Sequence, residues 1–184
     1  LVSGVTAANL TWDWNITPST ATSTQALIKV ADSTLPDIVF DTSDSVFTVA
    51  GSISSVQPTA AVLTYDGTNT YNIAWNKYGN ISNVKLRYSI DGGSTWPSTI
   101  NSSYPASSSP YNWTIPDAIG YNLKINISDV NNTAVFNTSD NVFAIKGSVL
   151  LLSPNGNENW TKGTNQSIQW RPTIDACEAG PQET

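Results

Sequence analysis

The chain has 184 residues, of which 39% are hydrophobic and only 12% charged, and its net charge is −6. The hydrophobic content is enough for β-sandwich cores, but no apolar run approaches the roughly 18 residues of a membrane span. The negative charge argues against a phosphate-binding surface, so nucleic acid is not an expected partner. Ordinary soluble domains carry about 25% charged residues. Here Ser, Thr and Asn replace them, which is typical of exported wall and fibre proteins and predicts an extracellular, cell-surface location.

The hydrophobic pattern predicts strands along almost the whole chain and no convincing helix. Turns rich in Ser, Pro, Gly and Asn separate these strands at the short spacing expected of all-β sandwiches. The strongest local signal is a hairpin, because an alternating strand at 83–90 is followed by Asp91-Gly92-Gly93 before the chain returns at 94–96. The other predicted strands are 26–31, 46–50, 53–57, 71–76, 111–115, 122–128, 142–146, 149–153 and 166–170.

One segment of the chain recurs at an offset of 96 residues. FDTSDSVFTVAGS at 40–52 matches FNTSDNVFAIKGS at 136–148 in eight of thirteen positions. The match continues downstream, where residues 51–75 correspond to residues 147–170, with one residue fewer in the later segment. A repeat of this length is a small domain, close to the size of an immunoglobulin-like sandwich.

The repeat divides the chain into three units. Residues 1–50 correspond to the C-terminal half of an immunoglobulin-like repeat, and residues 51–147 to a complete repeat. Residues 148–184 correspond to the N-terminal part of the next repeat, followed by an irregular tail. We therefore predict an all-β fold of tandem immunoglobulin-like β-sandwich repeats, one complete and two partial.

Several segments resemble a known family at these positions. They are SPNGNENWTKGTNQSIQW at 153–170, YNWTIP at 111–116, YNLKINISD at 121–129 and NTSDNVFAI at 137–145. Together they are similar to the Kre9/KNH-type immunoglobulin-like repeat of fungal wall-assembly proteins and prokaryotic surface arrays. The central repeat departs from the family pattern at 61–65. The resemblance implies an immunoglobulin-like fold and no catalytic residues.

The seven tryptophans divide into two groups. Trp75 and Trp170 are equivalent by the repeat, as are Trp14 and Trp113, and recurrence at a domain period favours packing between sheets. Trp12, Trp96 and Trp160 lack strict partners and are the candidates for exposure, where two coplanar rings could stack on sugars. The remaining core residues predicted for the central repeat are Val84, Leu86, Leu123, Ile125, Ile127 and Phe143.

Asn-x-Ser/Thr sequons occur about twice as often as the composition produces by chance. Alternating strands with polar outward faces generate the motif automatically. The other interpretation is a densely N-glycosylated surface protein, with loop positions such as Asn101 and Asn131 preferred. Both interpretations stay open, and the candidates are Asn9, Asn15, Asn80, Asn101, Asn112, Asn126, Asn131, Asn137, Asn159 and Asn165.

Two acidic clusters precede the last strand of each repeat. Asp41 and Asp44 follow Asp32, and the later cluster replaces Asp41 by Asn137. Calcium is the one cofactor considered, but it needs six to eight oxygens including several carboxylates. Capping of turn amides explains the pattern more simply.

Enzymatic chemistry has little support in the sequence. The chain has no His, and its one cysteine, Cys177, lies in the irregular tail. No Gly-rich phosphate loop precedes a helix. Asp66, Asp91, Asp117 and Glu158 fall in predicted turns, so nothing pairs two carboxylates, and we expect no catalytic or metal site.

The junctions favour a structural role. Only Gly51-Ser52 and Gly147-Ser148 separate the last strand of one repeat from the first of the next, so neighbouring repeats are expected to form a stiff rod. The first hypothesis is a non-enzymatic component of a cell-surface filament, S-layer or stalk. The alternatives are a glycan-binding adhesion module for cell-wall polysaccharide and an accessory domain of a secreted hydrolase.

The two partial units suggest partners of the same kind. Residues 148–171 carry the early strands that 1–50 lack, so copies could join head to tail by strand addition. The rival expectation is that these residues are a window of a longer array, in which neighbouring repeats supply the missing strands.

Overall fold

The computed structural model describes residues 4–6, 8 and 11–172, and this part of the chain is all-β, with sixteen strands and no α-helix. The predicted all-β class is confirmed. The described residues contain no helix long and apolar enough to cross a bilayer. The strands are β1 (Ser23–Ala26), β2 (Lys29–Ala31), β3 (Phe40–Thr42), β4 (Phe47–Val49), β5 (Ser52–Ser54), β6 (Val62–Thr64), β7 (Thr70–Ile73), β8 (Asn76–Tyr78), β9 (Asn83–Ser89), β10 (Ser98–Pro105), β11 (Tyr111–Thr114), β12 (Gly120–Asp129), β13 (Phe136–Thr138), β14 (Phe143–Lys146), β15 (Val149–Ser153) and β16 (Gln169–Pro172).

The largest sheet has six strands and belongs to residues 51–147, which we call the central repeat. Its order is β10-β9-β12-β14-β6, and β13 also pairs with β12. The long strand β12 pairs with β14 through its first residues and with β13 through its last residues, along the same edge. Its other edge pairs with β9. Strand β6 lies parallel to β14, and the other pairs in this sheet are antiparallel.

The β7–β11 pair packs across one face of this sheet. On β11, the Trp113 ring lies 5.6 Å from Tyr88 of β9 and 6.4 Å from Phe143 of β14, measured between ring centroids. Apolar side chains fill the space between the two layers, as the alternation of the strands requires. All eight predicted core residues of the central repeat are buried: Trp75, Val84, Leu86, Trp113, Leu123, Ile125, Ile127 and Phe143.

The predicted hairpin is present, but its turn is longer than expected. Strand β10 begins at Ser98, not at 94, because Asp91 holds the returning chain in the turn through its carboxylate, which accepts hydrogen bonds from Thr95 N and Thr95 Oγ1. Gly92 and Gly93 both have positive φ, a conformation that glycine adopts readily in tight hairpin turns. The strongest sequence signal therefore located the turn correctly and misplaced the return strand by four residues.

The short strands were the hardest to predict. The predicted strand 26–31 is two strands, β1 and β2, and the predicted strand 53–57 ends at Ser54 because Ser55 has φ of 55°. The predicted strand 166–170 is shifted to β16. Strands β3, β6, β8 and β13 were missed, since each has three residues and only tertiary pairing distinguishes such segments from loops.

Candidate functional site

The described part of residues 1–50, which we call the N-terminal unit, has the same strand register as the end of the central repeat. Ala26 pairs with Phe47, and the equivalent residue Leu123 pairs with Phe143. In both units the register shifts within the three residues that precede this pair, between Ser23 and Ala26 and between Gly120 and Leu123. The pairing of β2 with β3 likewise repeats the pairing of β12 with β13, residue for residue.

The hydrogen bonds of this framework recur as well. Ile28 N donates to Ser43 Oγ at 3.1 Å, and Ser43 N donates to Ile28 O at 2.9 Å. In the central repeat Ile125 N donates to Ser139 Oγ at 3.2 Å, and Ser139 N donates to Ile125 O at 2.9 Å. The sequence repeat is therefore a structural repeat at the level of single donors and acceptors.

Residues 148–172, which we call the C-terminal hairpin, repeat the first part of the central repeat. Val149 of β15 pairs with Pro172 of β16, as the equivalent Ile53 pairs with Lys77. The turns inside both segments contain an equivalent glycine in the left-handed region. These are Gly67 with φ of 87° and Gly163 with φ of 86°.

Equivalent residues differ sharply in exposure. In the central repeat Ile127 is 0% exposed, whereas Val30 in the N-terminal unit is 70% exposed. Ile16 is exposed although its equivalent Ile115 is buried. The N-terminal unit thus presents to solvent the face that the central repeat uses as its core, and exposed apolar faces of this kind mark interaction surfaces.

The C-terminal hairpin shows the complementary contrast. Trp170 is 64% exposed and Ile168 is 56% exposed, while their equivalents Trp75 and Ile73 are 4% and 0% exposed. The prediction that Trp170 is a core residue is therefore wrong for this structure. Trp14, also predicted in the core, is half-buried against Phe47. A second layer that would cover Trp170 is not among the described residues.

The central repeat shows how these two faces meet when both are present in one unit. Asn137 Nδ2, on β13, donates to the carbonyl oxygen of Ile53, on β5, at 3.0 Å. Strand β6 adds to the outer edge of β14. Trp75 Nε1 donates to Ala106 O at 3.1 Å, but Ala106 follows β10, a segment that has no equivalent in either terminal unit.

The junction between the N-terminal unit and the central repeat is tightly packed. A shallow groove of about 310 Å³ lies there, with Thr22 and Val49 on one side and Tyr78 and Gly79 on the other. A Cβ on Gly79 would lie 2.5 Å from Thr22 Cγ2 and 3.0 Å from Gly51 Cα. Sequence analysis did not single out Gly79, because nothing local shows that another unit packs against it.

At the next junction, Gly147 meets a residue of its own repeat and not of the C-terminal hairpin. A Cβ on Gly147 would lie 2.8 Å from Ile119 Cδ1. A Cβ on Gly51 would lie 2.7 Å from Tyr78 O, so glycine at 51 and 147 permits close approach of chain segments at the repeat boundaries.

An aromatic groove of about 360 Å³ opens between β10 and β11. Tyr88, Tyr111 and Trp113 contribute its rings, and Thr99 and Asn112 contribute polar groups. Of the three tryptophans predicted to be exposed, Trp12 and Trp160 are exposed and Trp96 is half-buried.

The acidic residues act as turn caps. Asp32 Oδ1 accepts hydrogen bonds from Thr34 N, Thr34 Oγ1 and Leu35 N, which lower the pKa of its carboxyl. Asp41 Oδ1 accepts from Thr42 N, and Asp129 Oδ1 accepts from Asn131 N. Among the described residues, no three acidic, His or Cys side chains are placed to share a metal ion.

Three further carboxylates, of those singled out in predicted turns, cap turn amides in the same manner. Backbone hydrogen bonds lower the pKa of Asp66 and of Glu158. For Asp91, hydrogen bonds from Ser89 and Thr95 hold the pKa of the carboxyl far below its ordinary value of 3.8. Asp117 lies exposed in the bend before β12.

The sequons lie in different environments. Asn126 is 3% exposed, and its Oδ1 accepts a hydrogen bond from Arg87 Nη2 at 3.0 Å. Asn101 and Asn137 are half-buried, and Asn101 lies in β10, so its expected loop position is wrong. Asn9 and Cys177 lie outside the described residues. The exposed sequons are Asn15, Asn80, Asn112, Asn131, Asn159 and Asn165.

Comparison with protein-family models, with curated proteins and with solved structures finds no match for this chain. The fold and the surfaces described above define its class directly. It is an all-β protein with structurally recurring units, a packed junction between two of them, and two uncovered apolar faces.

Proposed function

We propose that the chain is part of an extracellular array of immunoglobulin-like repeats related to the Kre9/KNH type. In this proposal the β7–β11 pair and the six-stranded sheet are the two layers of a β-sandwich. The array serves as a non-enzymatic structural element of a cell-surface filament, S-layer or stalk. The supporting observation is the recurrence of one framework, hydrogen bond by hydrogen bond, at 28–43 and 125–139.

The junction supports a stiff connection between repeats. Ala50 and Gly51 alone separate β4 from β5, and the approach of Gly79 to Thr22 leaves no space for a side chain between the units. A connection of this length lacks the freedom of a long Gly/Ser linker. Stiff spacing is the property that a filament, lattice or stalk requires.

Spin labels on either side of the junction test the stiffness. Exposed Thr24 on β1 and exposed Asn112 on β11 are changed to Cys in a Cys177→Ser background. We expect one narrow distance distribution by pulsed electron paramagnetic resonance. A broad distribution, equal to that obtained after insertion of six Gly/Ser residues between Ala50 and Gly51, would contradict the rod.

Surface labelling tests the location. An antibody raised against residues 51–147 should bind intact cells of the source organism and decorate a filament or lattice in negative-stain images. Binding that appears only after the cells are permeabilised would reject an extracellular role. An unrelated cytoplasmic protein, labelled in parallel, controls for cell breakage.

The aromatic groove favours one second candidate, a glycan-binding adhesion module. Tyr88 and Tyr111 are both half-buried there, beside the polar side chains of Thr99 and Asn112, and aromatic rings next to such groups suit a neutral sugar. Added cell-wall polysaccharide should then quench tryptophan fluorescence through Trp113. The quench should be lost in Tyr111→Ala and kept in Trp12→Ala. The same result would support an accessory domain of a secreted hydrolase, which the full-length gene distinguishes.

A further inference from the structure

We propose that the C-terminal hairpin of one copy docks onto the uncovered face of the N-terminal unit of a second copy. The hairpin takes the place that β5 and β8 occupy in the central repeat. This inference rests on the proposed structural array and names its partner, which is another copy of the same chain joined head to tail.

The central repeat is the template for this contact. There, the β5 strand lies beside β13, joined by the bond from Asn137 Nδ2 to Ile53 O. The equivalents of these two residues are Asp41, in the N-terminal unit, and Val149, which is 70% exposed on the hairpin. The two faces that are in contact inside the central repeat are therefore both present, and both open, at the two ends of the described chain.

The strand edges also correspond. In the central repeat, β6 adds in parallel to β14, with Ile145 opposite Leu63. In the described part of the N-terminal unit, β4 pairs with β1 alone, so its other edge carries no strand. By the repeat, residues 158–160 of the hairpin correspond to β6 and lie free of any strand. Addition of 158–160 along β4 would give hydrogen-bond partners to the unpaired backbone groups of both segments.

Charge favours the same pairing. The N-terminal unit carries five aspartates and one lysine, a net charge of −4. The hairpin carries Glu158 with Lys162 and Arg171, a net charge of +1. The opposite net charges of the two units favour contact between them over contact of either unit with its own kind.

The geometry of the contact makes the assembly open-ended. The two faces are different surfaces, so each copy can engage one neighbour at each end and the contact is heterologous. The hairpin supplies no equivalents of β9 and β10, and the edge of β2 that corresponds to the β9 side of β12 stays free in this arrangement.

Light scattering after size exclusion tests the proposal on the 184-residue chain. The wild-type mass should rise with concentration, from monomer to a series of multimers. Val30→Asp puts a charge on the N-terminal face, and Val149→Asp does the same on the hairpin, at the equivalent of the buried Ile53. Both residues are exposed, so the melting of the central repeat should be unchanged. Tyr121→Asp, at a residue 71% exposed on the central repeat, is the matched control and should still assemble.

Mixing the two variants separates this contact from general stickiness. Each variant alone should remain monomeric, whereas an equimolar mixture should form a 1:1 dimer and nothing larger, because one intact face remains on each. A wild-type chain that stays monomeric at every concentration would overturn the proposal. So would a mixture that stays monomeric, or single variants that still form multimers.

A gain of affinity provides the second measurement. Asp41 has no donor to offer where Asn137 bonds the strand carbonyl, so Asp41→Asn restores that donor. We expect about tenfold tighter association between copies. The substitution adds one hydrogen bond and removes the repulsion between the Asp41 carboxylate and the strand carbonyl. No change in affinity would overturn the proposed register. The chain could stay monomeric while the antibody still binds the cell surface and the two spin labels still give one narrow distance distribution. That result would reject docking and leave the proposed structural array standing.

Discussion

The central repeat and the N-terminal unit have the same backbone framework and opposite exposure. Ser139 is 0% exposed and its equivalent Ser43 is exposed, yet both make the same pair of hydrogen bonds with the strand opposite. The framework therefore does not depend on burial. Local turn chemistry and strand pairing set the register, and a second layer converts one face of that framework into a core.

The largest expected difference in stability between the units is at two equivalent tryptophans. Trp75→Ala removes a buried ring and its bond to Ala106 O, and we expect it to cost about 3–5 kcal/mol of unfolding free energy. Trp170→Ala, at the exposed equivalent, should cost under about 1 kcal/mol. Urea unfolding followed by circular dichroism measures both, at a dilution where the chain is monomeric. Equal losses would show that Trp170 is covered within a single chain.

The junction is tested by two glycines of similar conformation. Gly79 and Gly92 have φ of 77° and 73°, but a Cβ on Gly92 meets no atom within 4 Å. Gly92→Ala should cost about 1–2 kcal/mol, the usual penalty of the left-handed region. Gly79→Ala should cost more and should raise amide exchange near Thr22 and Gly51. Identical costs, with exchange unchanged, would mean that the two units do not touch.

The turn carboxylates predict how stability depends on pH. The folded pKa of Asp91 lies below its ordinary value of 3.8, so the folded state favours the charged form. The stabilisation is present above that value and is lost as pH falls below about 4. We expect Asp91→Asn to lower the melting temperature at pH 7 and to flatten its dependence between pH 5 and pH 2. Asp117→Asn is the matched control, and an equally flat curve for it would contradict the prediction.

Glycan occupancy is the prediction with the smallest effect on stability. If the source organism N-glycosylates exported proteins, glycans should be attached at exposed Asn131 and absent from buried Asn126, whose amide faces Arg87. Glycopeptide mass spectrometry of native material measures this. Bare peptides at all exposed sequons would leave their excess as a by-product of strand patterning.

The sequence predicted the repeated segments and the strands in which apolar and polar residues alternate. The correspondence of 40–52 with 136–148 predicted the common framework, and the alternation along 83–90 and 122–128 predicted the buried positions of the large sheet. It missed β6 and β13, because three residues carry too little pattern to identify an edge strand. It also missed Gly79, since the atoms that forbid a side chain there belong to Thr22 and Gly51, which are distant from it in the sequence.

The sequence by itself determined the all-β class, the repeat and the identity of the eight central core residues, because these follow from local periodicity and self-similarity. Only the tertiary structure decided that Trp170 and Val30 face solvent while Trp75 and Ile127 do not. Equivalent residues have the same local preference in every unit. Whether such a residue is buried depends on a second layer that packs against its face, and the local sequence pattern does not show whether that layer is present.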